Sequence, residues 1–99
     1  MKKHIICMKI NNIDIIGRTD KDPSFDIFAY ASIEIENPVA LIQTQQGGMA
    51  IVPYFMFTKD SVTTINCTRV ESFLTESHLP KEITNKYIEF TSGITLVRG

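Results

Sequence analysis

Asn66, Cys67, Thr68 and Arg69 place an amide, a thiol, a hydroxyl and a guanidinium in four consecutive positions. Such a run reads either as a polar β-turn, whose short side chains bond their own backbone, or as a site that hydrogen-bonds a ligand. His4 with Cys7, and Cys67 with His78, have spacings from which a metal pair could be built. A structural zinc needs four converging ligands, however, and strand alternation already accounts for Cys7 as a small apolar residue. Neither histidine has a neighbouring nucleophile or a paired carboxylate that would read as a triad. Gly47-Gly48 lacks the lysine and hydroxyl of a phosphate-binding loop. Arg18 and Lys21 offer a basic patch, offset by Asp20 and Asp22, with the composition of a solvated loop. The expectation is a protein that is not an enzyme and holds neither metal nor cofactor.

Charge balance narrows the partners. Ten Lys and Arg stand against eleven Asp and Glu, so the net charge of −1 supplies no bulk basic field for nucleic acid, and any such site must be local. The two cysteines, far apart and without C-x-x-C spacing, read as reduced and structural rather than as a disulfide framework. Met1-Lys2-Lys3-His4 is basic, but Lys9, Asn11, Asn12 and Asp14 break the apolar run behind it, so it does not read as a signal peptide. No apolar run approaches the roughly 20 residues needed to span a bilayer. The expected setting is cytoplasmic, with no membrane partner.

The elements that must position these side chains are mostly strands. At 99 residues and 43% hydrophobic content, the chain is expected to form one domain over 1–99, with a small core and a tendency to self-associate. Ile5, Cys7 and Lys9 lead into Asn11-Asn12, and Ile13, Ile15 and Gly17 lead out. Consecutive Asn residues tolerate positive φ and suit a two-residue hairpin turn. A solvated loop over 18–24 precedes strand chemistry over 25–35, where Ile33 and Ile35 alternate with Ser32, Glu34 and Glu36. Asn37-Pro38 interrupts the ladder, since proline cannot donate to it, and 39–42 reads as a strand covered on both faces.

Gln45-Gln46-Gly47-Gly48 marks the next turn, followed by a strand over 49–57 with a bend at Pro53. Met49, Ile51, Val52, Tyr54, Phe55, Met56 and Phe57 are too many apolar side chains for one face of a small core, so part of this band is expected to form a subunit interface. After Lys59-Asp60-Ser61, two short strand-like pieces flank Asn66 to Arg69. Leu79, Ile83, Tyr87 and Phe90 then fall on one face of a helix over about 80–91, opened by Pro80 and capped by Gly93. The barrel is expected over about 3–75, with 92–99 as a tail that adds a short strand or frays.

A strand, an Asn-Asn turn and a strand ending in Ile15-Ile16-Gly17 resemble the first half of the Sm-like (LSm) motif, in which a glycine marks a strongly bent second strand. Ile65-Asn66-Cys67-Thr68-Arg69-Val70 stands where that family reads Ile-Arg-Gly-Asn-Asn-Val, with matching apolar ends and four different middle residues. The chain is similar, over nearly its whole length, to divergent Sm-like proteins encoded by tailed phages of marine bacteria. The residues that carry this are Glu36-Asn37-Pro38-Val39, the run Gly48 to Tyr54, Phe57-Thr58-Lys59-Asp60, Ile83-Thr84-Asn85-Lys86-Tyr87 and Ser92-Gly93-Ile94.

The resemblance implies a mainly β fold: a small, strongly bent five-stranded antiparallel Sm-like barrel with a short C-terminal helix. It further implies a homo-oligomeric ring of about five to seven copies joined edge to edge, a phage origin, and the host cytoplasm as compartment. Met49, Ile51, Tyr54, Phe55, Phe57 and Val70 would form the subunit interface. RNA-binding relatives hold a base with an Asn of the second loop, a stacking residue and the later Arg-Gly. This chain lacks the Asp-x-x-x-Asn signature after Gly17, and Asn66 and Cys67 replace the Arg-Gly. What remains for single-stranded RNA is Asn66, Thr68 and Arg69, repeated around the ring in a role in RNA regulation. The alternative is a homo-oligomeric scaffold for a phage or host protein without RNA.

Overall fold

The computed structural model describes residues 3–22, 26–53 and 62–97, with side chains described as far as Thr91. Calls on Tyr54, Phe55 and Phe57 therefore lie outside the described residues. Among the described residues, six strands and one helix follow in order: β1 (His4–Ile10), β2 (Ile13–Thr19), β3 (Ser32–Gln43), β4 (Met49–Pro53), β5 (Val62–Asn66), β6 (Ser72–Thr75) and α1 (Lys81–Val97). All pair antiparallel in one open sheet, ordered β4-β3-β2-β1-β6, with β5 also on β3.

The hairpin at Asn11-Asn12 forms as its sequence implies. Both residues have positive φ, 52° and 64°, and the ladder runs from Ile10 opposite Ile13 to His4 opposite Thr19. β1 is central, between β2 and β6, and its apolar run Ile5 to Met8 is buried on both faces.

Six strands rather than the expected five, in an open rather than closed sheet, is the main correction. Its physical origin is a register jump in β3. Val39 to Gln43 pair with β4, Ser32 to Glu36 pair with β5, and both partners lie on the edge opposite β2. Asn37 and Pro38 separate the two stretches, so β3 carries two partners on that edge and the described strands number six rather than five. On the β2 side the same pair faces Gly17 alone, since Ile16 pairs with Val39 and Arg18 with Glu36. The extra residue makes a bulge, with Asn37 at φ 51° and Pro38 where no ladder donor is required.

The bulge also changes which face each side chain takes. Ile33 and Ile35 belong to one core cluster, with Ile6, Met8, Ile10, Ile15 and Ile65. Val39 belongs to the other, with Ile5, Cys7, Ile16 and Tyr87. Strict alternation would have put Ile35 and Val39 on one face. The second cluster lies under α1, which contributes Ile83 and Phe90 beside Tyr87, as the helical spacing implies.

Two further expectations are corrected. Residues 27–29, expected in a strand, form a 3-10 turn because the Asp26 carboxylate accepts from the Phe28 N–H at 3.0 Å and caps it. α1 does not stop at 91 with Gly93 as its cap; it runs to Val97, so residues 92–97 are helix rather than tail. Glycine inside a helix costs about 1 kcal/mol relative to alanine, which weakens a helix without ending it, and no proline follows Pro80.

Candidate functional site

The β2–β3 connection and the β5–β6 connection meet at one end of the sheet. Asn66 pairs with Ser32 at the end of the β3–β5 ladder, and the Cys67 N–H donates to the Ala31 carbonyl at 2.9 Å. This seats the 3-10 turn Cys67–Arg69 against the 3-10 turn Ile27–Ala29.

Within the first turn, roles divide by direction. The Thr68 N–H and hydroxyl both donate to Asn66 Oδ1, at 3.0 and 2.8 Å, so the Asn66 carbonyl oxygen is engaged as a cap. Cys67 and Val70 point into the core cluster that holds Ile33 and Ile65. Burial raises the Cys67 thiol above its ordinary value. Arg69 is exposed. The geometry thus brings Asn66, Thr68 and Arg69 together as expected, but as an internally bonded turn with one cation at its end. Val70, expected at a subunit interface, sits in the chain's own core, 7% exposed.

The neighbouring turn contributes what the sequence reading missed. Phe28 is 58% exposed and Tyr30 39%, two partly exposed aromatic side chains beside the Arg69 turn. The Lys21 ammonium lies 4.8 Å from the Tyr30 ring centroid, a cation–π contact. Alternation over 25–35 gave no hint of this; the usable signal was Asp26 two residues before Phe28, the spacing of a side chain that caps a turn. Lys21 and Arg18 do not form one basic patch. Arg18 instead lies over the Tyr87 ring, 5.0 Å from its centroid, and donates to Thr91 Oγ1 at 3.4 Å.

The remaining interface calls fall on β4. Met49 is exposed and Ile51 packs partly against the core beneath α1. Met49, Ile13 and Ile42 line an open groove of about 840 Å³ between the hairpin tip, the β3–β4 turn and the start of α1. His78 Nδ1 lies 3.1 Å from Thr75 Oγ1, itself 3.2 Å from Ser77 Oγ, in an exposed segment. Among the described residues no three His, Cys, Asp or Glu side chains converge on a metal-sized point, and no helix is long and apolar enough to cross a membrane.

Exposed aromatic faces beside cations can stack flat unsaturated rings and neutralise anions attached to them. Compared with protein-family models and with curated proteins, the chain matches none.

Proposed function

We propose that this chain is an Sm-like, ring-forming protein that presents one aromatic and cationic platform per copy to single-stranded RNA. The observation that carries the reading is the meeting of exposed Phe28 and Tyr30 with the Arg69 turn, Lys21 lying on the Tyr30 ring. Unpaired bases stack on such faces with little sequence demand, and lysine and arginine serve the phosphates. Net charge is no obstacle, because the cations are local and a ring multiplies one weak contact by its number of copies.

The Sm-like part of the reading is supported by the bend at Gly17 and Asn37-Pro38 and by taking β4 and β5 as halves of one edge strand, which restores a count of five. A bent sheet with two open edges meets its backbone needs by pairing with copies of itself until the rotation closes, at about five to seven copies in this reading. A phage origin and the host cytoplasm belong to the same reading.

A second reading, a ring that serves as a scaffold for a phage or host protein without RNA, is favoured by the Asn66–Thr68 bonds, which occupy the turn's own acceptor. Light scattering after size exclusion, with uridine-rich and adenine-rich oligonucleotides at low and moderate salt, separates the two. RNA binding gives a ring that shifts with oligonucleotide, weakens as salt rises, and loses roughly fivefold to a hundredfold in affinity in Phe28→Ala, the span of one base–aromatic stack. Arg69→Ala lowers the affinity and flattens the salt dependence. A ring that ignores both oligonucleotides at low salt sinks the RNA reading and leaves the scaffold.

A further inference from the structure

Tyr87 projects from α1 and is fully buried against the sheet, and its hydroxyl reaches the backbone of β3 at the bulge. One O–H is shared between two carbonyl acceptors, Asn37 at 2.9 Å and Glu36 at 3.2 Å, the first residue of the bulge and the one before it. Three other features converge there. Gly17 passes so close on the β2 side that an added methyl would overlap the Ile35 side chain, the Arg18 guanidinium covers the Tyr87 ring, and Arg18 continues to Thr91 one turn further along α1. Thr91 in turn donates its hydroxyl back to the Tyr87 and Ile88 carbonyls, so the helix end of the contact is fixed to the helix backbone. α1 thus grips β3 through a polar contact at its bulge while packing on apolar side chains elsewhere along the sheet.

The two arms of β3 that meet at this bulge carry different partners, β4 on one and β5 on the other. Their mutual angle sets where the β5 edge lies relative to the β6 edge across the sheet. We propose that the Tyr87 hydroxyl is the latch by which α1 fixes the bend of β3, and through that bend the angle between the two open edges and the number of copies that close a ring. The last clause rests on the assembly reading above; the latch itself does not. A hydroxyl suits the task because it is directional, whereas the apolar contacts around it hold the helix down without choosing an angle.

The test compares the full chain with Tyr87→Phe, which keeps the ring and removes the donor, by peptide-level hydrogen exchange and native mass spectrometry. The expected result is a folded variant whose exchange across 14–19 and 32–41 rises about threefold to tenfold, the effect of losing one or two hydrogen bonds on a local opening, while β6 at 72–75, which pairs with β1 on the far side of the sheet, keeps its rate. Its ring population then spreads over more than one copy number where the unmodified chain shows a single one. Unchanged exchange at the bend overturns the latch; raised exchange with an unchanged single copy number overturns its control of ring size. A monomeric unmodified chain overturns the assembly reading, and the exchange comparison then decides the latch alone. Should Tyr87→Phe not fold, Arg18→Met, which removes the guanidinium that seats the ring, is expected to move exchange in the same direction, and no change in it overturns the proposal.

Discussion

At Gly17 the backbone of β2 runs so close to β3 that a Cβ would overlap Ile35 Cγ2 and sit 3.2 Å from the Glu36 carbonyl oxygen. Ile35 is fully buried and β-branched, so neither its rotamer nor its backbone can give way cheaply. Gly17→Ala is therefore expected to lower the unfolding free energy by about 1–3 kcal/mol, as overpacking does, read as a drop in the urea midpoint at unchanged slope. An unaltered midpoint would show that the strands part freely at the bend. Alkaline stability rests on two other buried groups. Burial, with the neighbouring Asp14 charge adding and Lys9 opposing, pushes the Cys7 thiol from 9.0 to about 11. Burial also pushes the Tyr87 phenol from 10.0 to about 12, with Arg18 opposing and Glu36 adding. Each acid keeps its proton in the folded chain at pH values where the unfolded chain has released it, so unfolding there is driven by proton loss. Their contribution is intact below about pH 9, and the unfolding free energy is expected to fall from pH 9 to 12, by about 1.4 kcal/mol per pH unit for each group within its own window. Cys7→Ala should remove the portion between pH 9 and 11, which thermal melts across that range detect.

Among the elements, legibility followed how local the deciding forces are. The Asn11-Asn12 hairpin was readable because positive φ at both positions is a property of those residues themselves. Asn37-Pro38 as an interruption was readable for the same kind of reason, a missing donor. That β4 and β5 both pair with β3 was not, because it depends on how far along β3 each distant segment lands, and no nearby residue records that. At Gly93 the sequence suggests a cap, but glycine carries only a modest propensity cost and the helix continues through it to Val97. At the candidate site, Asn66 as a cap could be read from its type and place, as could the loop character of Lys21. Phe28 and Tyr30 could not, since their alternation is that of a strand and only the Asp26 cap diverts the backbone into a turn. Cys67 and Val70 likewise turn inward from a run whose neighbours are polar, a consequence of the turn packing over the open end of the core cluster.

For the whole molecule, the two ends of the sheet matter more than its middle. β5 and β6 each leave one edge without a partner strand among the described residues, and each carries a half-exposed apolar side chain, Val62 at 46% and Leu74 at 45%. The register puts both on the face that α1 covers. Val62 pairs with Glu36, which pairs with Arg18 over Tyr87, and Leu74 pairs with Cys7 of the core beneath α1. If β5 of one copy pairs antiparallel with β6 of the next, Val62 and Leu74 therefore meet on one face, while Ile65 and Phe73 extend the core on the other. Lysine on an edge strand opposes such pairing because its charge would be desolvated between copies, whereas a half-exposed position in the single chain lets it reach water. On the ring proposed above, Val62→Lys with Leu74→Lys is thus expected to keep the far-ultraviolet circular dichroism of the folded chain while sedimentation gives the mass of one copy. If the doubly charged variant retains the assembled mass of the unmodified chain, the edges are not the joint, and the exposed groove at Met49, Ile13 and Ile42 becomes the surface through which copies associate.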